Sequence, residues 1–124
     1  MNARRFYCGT TLGFTILNNG GTPASDARFK TELRPIENAL EKIMQLQGKT
    51  FKMHDNVDRE MGFIAQEVLP IVPEVVWIDD SDENRYHFLK YDKLTALLCE
   101  GIKELLGKVT ALEARISVLE TSAL

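Results

Sequence analysis

Three things are scarce or missing in this chain of 124 residues, and each absence removes a class of function. Cysteine occurs only as Cys8 and Cys99, far apart and without metal-type spacing, so a disulfide scaffold is excluded and both read as free thiols in a reducing compartment. No stretch reaches the roughly 18 apolar residues of a membrane span, and no basic segment followed by an apolar run opens the chain as in a signal peptide. The expectation is a soluble chain made in the cytosol, with no membrane partner. A basic surplus is missing as well: the net charge is -3, and residues 1–24 hold Arg4 and Arg5 but no acid, leaving 13 basic and 18 acidic residues from Ser25 onward. That balance argues against nucleic acid as a partner. His54 and His87 do not form a ligand set, and Asp79, Asp80, Asp82 and Glu83 lack the full calcium-loop pattern, so no metal and no cofactor is expected.

What is present is ordinary globular composition, 44% hydrophobic and 27% charged, in a length that suits one domain. So short a chain buries a limited share of its surface, and an elongated shape would need partner subunits. Residues 1–24 are rich in Gly, Thr and Asn, with β-prone runs at 5–8 and 12–17 and a turn cluster at 18–21. They read as the end of a preceding β-structured fibre, and the chain as a fragment of a longer protein. Pro35 at a first turn, Ile36, Leu40, Ile43 and Met44 at helical spacing, and Gly48 as a stop predict an amphipathic helix over 35–47. A short strand at 50–53 leads into a charged loop, 54–60. Residues 62–69 read as two helical turns closed by Pro70 and Pro73, and 75–78 with 86–89 as a hairpin around a polar tip.

From about Asp92 the pattern is a helix with heptads. Leu98, Ile102, Leu105, Val109, Leu112, Ile116 and Leu119 follow one another at alternating spacings of four and three. With Ile102, Val109 and Ile116 at a and Leu105, Leu112 and Leu119 at d, Lys108 and Arg115 fall at g and Glu113 and Glu120 at e. Those charges pair across a parallel interface. The a and d residues lean towards two strands, while Leu97 and Leu106 widen the apolar face enough for three.

Chemistry has one foothold. Ser25 needs a base to take its proton, and Lys30, five residues on, is the nearest. A lysine becomes a base where burial and a neighbouring cation favour its neutral form; Phe29 and Ile36 are the residues to bury it and Arg28 the cation. The plain alternative is that Ser25 or Asp26 caps a turn and Lys30 sits in solvent. Gln66 and Glu67 are further candidates for orienting groups at the junction.

Together these segments resemble a known family. Ser25-Asp26-x-Arg28-x-Lys30, Pro35-Ile36-x-x-Ala39-Leu40, Leu46-x-Gly48-x-x-Phe51, Gly62-x-Ile64-Ala65-Gln66-Glu67-Val68 and a terminal coiled coil are similar to the C-terminal intramolecular chaperone domain of phage tail spikes and tail fibres, the endosialidase type of self-cleaving serine peptidase. The resemblance implies an α+β fold, a small helix and strand domain with a projecting hairpin and a long C-terminal helix in a parallel trimeric coiled coil. It divides the chain into fibre end (1–25), chaperone domain (26–92) and trimerisation helix (93–124). It implies a homotrimer whose client is its own upstream fibre chains, held by arms such as the 53–61 loop or the 78–86 hairpin. It places nucleophile and base on Ser25 and Lys30 and the cleavage junction at Ser25-Asp26. The setting would be the host cytoplasm during virion assembly, with release from the mature fibre. Two other readings are a trimerisation module in which Ser25 and Lys30 are inert, and the matching domain of membrane-tethered transcription factors of the myelin regulatory type. Without a fibre body ahead of it, Lys30 is not expected to be held against Ser25.

Overall fold

The computed structural model describes the backbone of residues 17–18 and 22–123 and the side chains of residues 24–123. The chain divides into two compact units, Met1–Pro35 and Ile36–Leu124. In the first, β1 (Leu17–Asn18) pairs antiparallel with β2 (Thr22–Pro23) across the turn cluster, and a single 3-10 turn follows at Ala27–Phe29. The β-prone run at 5–8, like Cys8, lies outside the described residues, and of the run at 12–17 only Leu17 is described.

The second unit is α+β and opens with α1, Ala39–Gln45, shorter than the predicted helix. Pro35 does not start it. Asn38 sits in the left-handed region (φ 54°, ψ 39°), which a helix cannot pass through and which asparagine tolerates better than most residues. The freed N–H groups of Ala39 and Leu40 donate to the two carboxylate oxygens of Glu104, at 2.9 and 3.0 Å. A residue 65 positions away thus caps this helix.

The strand β3 (Lys49–Lys52) has a partner where a loop was expected. Arg59–Gly62 forms β4, antiparallel, with Thr50 opposite Met61 and Phe51 opposite Glu60. Gly62 therefore belongs to a strand, and α2 is the single turn Ala65–Val68. The Tyr91 hydroxyl accepts from the Phe63 N–H at 2.9 Å and lies where a Cβ on residue 62 would stand, which accounts for glycine there. β5 (Val76–Ile78) and β6 (His87–Leu89) form the expected hairpin, with the Trp77 and Phe88 rings 4.9 Å apart. Its acidic tip is a set of side-chain turns: Asp79 accepts from the Ser81 N–H and Asp82 from the Asn84 N–H, at 3.0 and 2.9 Å.

The long helix α3 spans Leu94–Ser122, 29 residues, or about 44 Å at 1.5 Å per residue. Only its start is buried. Leu94 and Leu97 pack with Ala39, Val68, Val72 and Val75 to make the core, with Ile43, Leu46, Ile71 and Leu89 around it, and Gly101, also buried, lies against Ile43 and Ala39. Ala39 is fully buried and Gly101 faces Ile43, whose methyl end occupies the place of a Cβ; two residues without bulk let α1 and α3 approach closely. From Leu105 to Ala123 every residue is exposed. No described helix is long and apolar enough to cross a membrane.

Candidate functional site at the Ser25 junction

The geometry begins with Asp26. Its backbone is extended (φ -68°, ψ 136°), and its Oδ1 accepts the Arg28 N–H at 2.8 Å, which starts the turn. The Phe29 N–H then donates to the Asp26 carbonyl and the Lys30 N–H to the Ala27 carbonyl, both at 3.1 Å. Lys30 leaves the turn with an extended backbone (φ -121°, ψ 140°). Its Nζ donates to Ser25 Oγ at 2.7 Å. This goes against the expectation that Lys30 would stand apart from Ser25 in a chain without a fibre body.

Arg28 is spoken for. Its Nε donates to Asp26 Oδ1 at 3.0 Å and a terminal nitrogen to Oδ2 at 2.8 Å, a two-point fork on one carboxylate. The guanidinium and the Arg28 N–H together hold the Asp26 carboxyl below the usual carboxylate range, and Asp26 raises Arg28 in return. The cation that was to act on Lys30 therefore has its charge met by Asp26. The expected burial is missing too: Phe29 is 75% exposed, Ile36 is 37% exposed, and Lys30 lies at the surface of the single chain.

Ser25, Asp26, Arg28 and Lys30 thus share one turn. Gln66 and Glu67 belong to α2 in the other unit, where both Glu67 oxygens accept from Lys49 Nζ at 2.6 and 2.7 Å. That ion pair gives Glu67 a partner of its own, a feature the sequence did not suggest. The reading of Asp26 as a turn cap and that of Lys30 on Ser25 had stood as rivals; one geometry contains both. Asp two positions before Arg was the signal for the fork.

The seven seam residues, Leu98, Ile102, Leu105, Val109, Leu112, Ile116 and Leu119, are 41 to 67% exposed along α3. Together they are a long apolar stripe without a cover in the single chain. Cys99, on the same helix, is an exposed free thiol.

Comparison with known proteins follows the same segments. Residues 25–77 match the model of the family described as chaperone of endosialidase. The chain is 33% identical over 98 residues to the long tail fiber protein Gp37 of Enterobacteria phage K3, covering 74% of this chain and 8% of that protein. The equivalent protein of Enterobacteria phage T2 gives 33% over 98 residues, 74% of this chain and 7% of that one. That of Escherichia phage AR1 gives 36% over 88 residues, 64% and 8%. The chain spans less than a tenth of the length of these relatives. The family match begins at Ser25, the first residue of the turn just described, and runs through the β3–β4 hairpin and α2 to Trp77 in β5, so that residues 25–77 of this chain are similar to the chaperone-of-endosialidase family.

Proposed function

We propose that the chain is an intramolecular chaperone that gathers three tail-fibre chains through α3 and then releases itself by autoproteolysis at the Ser25-Asp26 junction. The chaperone role is supported by the family and the tail-fibre relatives, and the family's own name is that of a peptidase. The observation that carries the chemistry is the 2.7 Å contact between Lys30 Nζ and Ser25 Oγ.

In the chain as folded the ammonium donates and the hydroxyl accepts. Once Lys30 loses a proton the same contact reverses: the amine takes the Oγ proton as Oγ bonds to a carbonyl carbon. The ammonium returns the proton to the departing peptide nitrogen, leaving an ester, and water then splits the ester and restores the serine. Lysine acts as a base where water is excluded, and Phe29 and Lys30 are exposed in one chain. The packing of further chains around the turn supplies that exclusion, which makes assembly the trigger.

The bond that breaks depends on which carbonyl is reached. A serine attacking its own carbonyl closes a strained four-membered ring. Ser25 of a neighbouring chain avoids the strain and leaves Asp26 as the new first residue. Attack on the Ala24 carbonyl through a five-membered ring would leave Ser25 first.

The reading places cleavage in the host cytoplasm during virion assembly, with the domain absent from the mature fibre. Parallel association of α3 holds three fibre ends at high effective concentration. Losing the aligning element afterwards makes fibre stability kinetic.

Intact-mass spectrometry of this chain, alone and joined to tail-fibre sequence ahead of residue 1, tests the proposal with wild type, Ser25→Ala and Lys30→Ala. A wild type split at the junction with both variants whole is the expected result. A wild type that assembles yet stays whole reduces the domain to a clamp.

A further inference from the structure

We infer that Asp26 is a positioning residue for the self-cleavage: its carboxylate, locked by Arg28, folds the turn that delivers Lys30 Nζ to Ser25 Oγ. This deepens the Ser25 and Lys30 reading and rests on it. Five residues of extended chain would carry Lys30 roughly 17 Å from Ser25, well beyond the reach of a lysine side chain, so the backbone must double back. One 3-10 turn does so.

Asp26 supplies two of the hydrogen bonds that hold the turn. Its Oδ1 takes the Arg28 N–H and its carbonyl takes the Phe29 N–H. Besides these only the Lys30 N–H bond to the Ala27 carbonyl closes the turn, and no packing backs it, because none of Ala27, Arg28 and Phe29 is buried. An exposed turn without packing is held by its hydrogen bonds alone, and losing the side-chain cap leaves it open much of the time.

Arg28 acts one step further back. By gripping both oxygens it fixes the plane of the carboxylate, with Oδ1 presented to the Arg28 N–H. A guanidinium engaged in this way acts on Asp26 and, through it, on the position of Lys30. It is not the cation that makes Lys30 basic.

Cleavage rates of the fibre-joined chain, followed by intact mass across a range of pH, test this with Asp26→Asn, Asp26→Ala, Arg28→Ala and Lys30→Ala. Asp26→Ala is expected to slow cleavage about 5- to 10-fold, the typical loss of a helix N-cap. Asp26→Asn keeps an oxygen for the Arg28 N–H and is expected within roughly twofold of wild type. Arg28→Ala is expected to slow cleavage less than Asp26→Ala and to leave the pH dependence of the rate in place. An Asp26→Ala as fast as wild type, an Asp26→Asn as slow as Asp26→Ala, or an Arg28→Ala that shifts the pH profile overturns the inference.

Lys30→Ala separates the two levels of the argument. If it is inert while Asp26→Asn is as slow as Asp26→Ala, the dyad stands and the positioning role falls. If it cleaves like wild type, or the wild type does not cleave at all, both fall. Each variant is first checked for assembly, which these exposed substitutions are expected to leave intact.

Discussion

Two carboxylates illustrate how single residues hold this molecule, and they respond differently to challenge. Asp26 is exposed, and its carboxyl is lowered first by the Arg28 side chain and then by the Arg28 N–H. The charge-dependent part of its contribution to the turn is therefore complete above the ordinary aspartate value of about 3.9 and is lost as the pH falls through the lowered value. A carbon-detected NMR titration should place the Asp26 midpoint below 3.9, and Arg28→Ala should bring it back up. A midpoint at or above 3.9 in the wild type would mean the fork does not persist in solution. Glu104 is half-buried and answers to two N–H groups, so Glu104→Gln leaves one donor facing another. The expected cost is about 2 kcal/mol in denaturant unfolding, the scale of a charged hydrogen bond inside a protein. A change under about 0.5 kcal/mol would show that solvent caps α1 equally well.

The elements differ in how openly the sequence declares them, and the difference follows from how far away their partners lie. α3 was legible because its seam is a long periodic pattern that needs nothing but itself. The hairpin of β5 and β6 was legible because its apolar runs flank a polar tip. β4 was not: Arg59-Glu60-Met61-Gly62 has no β-branched residue, and its two-stranded sheet presents no steadily buried face. The start of α1 was missed because its cap comes from α3, and the burial of Lys30 was expected from neighbours that turn out to be exposed. Within α3, Gly107 invites a direct test. It falls at f of the heptad, and a Cβ there would meet nothing within 4 Å. Gly107→Ala should stabilise the helix by roughly 0.5 to 1 kcal/mol per chain, read as a raised Tm with unchanged assembly. A lowered Tm would mean that assembly brings another surface against residue 107.

For the molecule as a whole, the decisive proportion is between what one chain buries and what it leaves exposed. Among the described residues the buried core is six small or medium apolar residues, of which Val68, fully enclosed, is worth about 2 kcal/mol. Against this stand seven seam residues in water. In the proposed trimer a parallel bundle of α3 covers that seam, and the folded state then draws much of its stability from other copies. Stability linked to association depends on concentration. The Tm should fall measurably over a roughly hundredfold dilution, and sedimentation equilibrium should give three times 14.0 kDa at the upper end. Leu112→Asp, which puts a charge at the middle of the seam, should give a lower Tm that no longer moves with dilution. If cleavage is triggered by assembly, the same variant joined to fibre sequence should stay whole although Ser25, Asp26, Arg28 and Lys30 are untouched. A Leu112→Asp chain that remains monomeric and still cuts itself would show that the turn is complete as a catalyst in one chain, and that water around Lys30 is no obstacle to it.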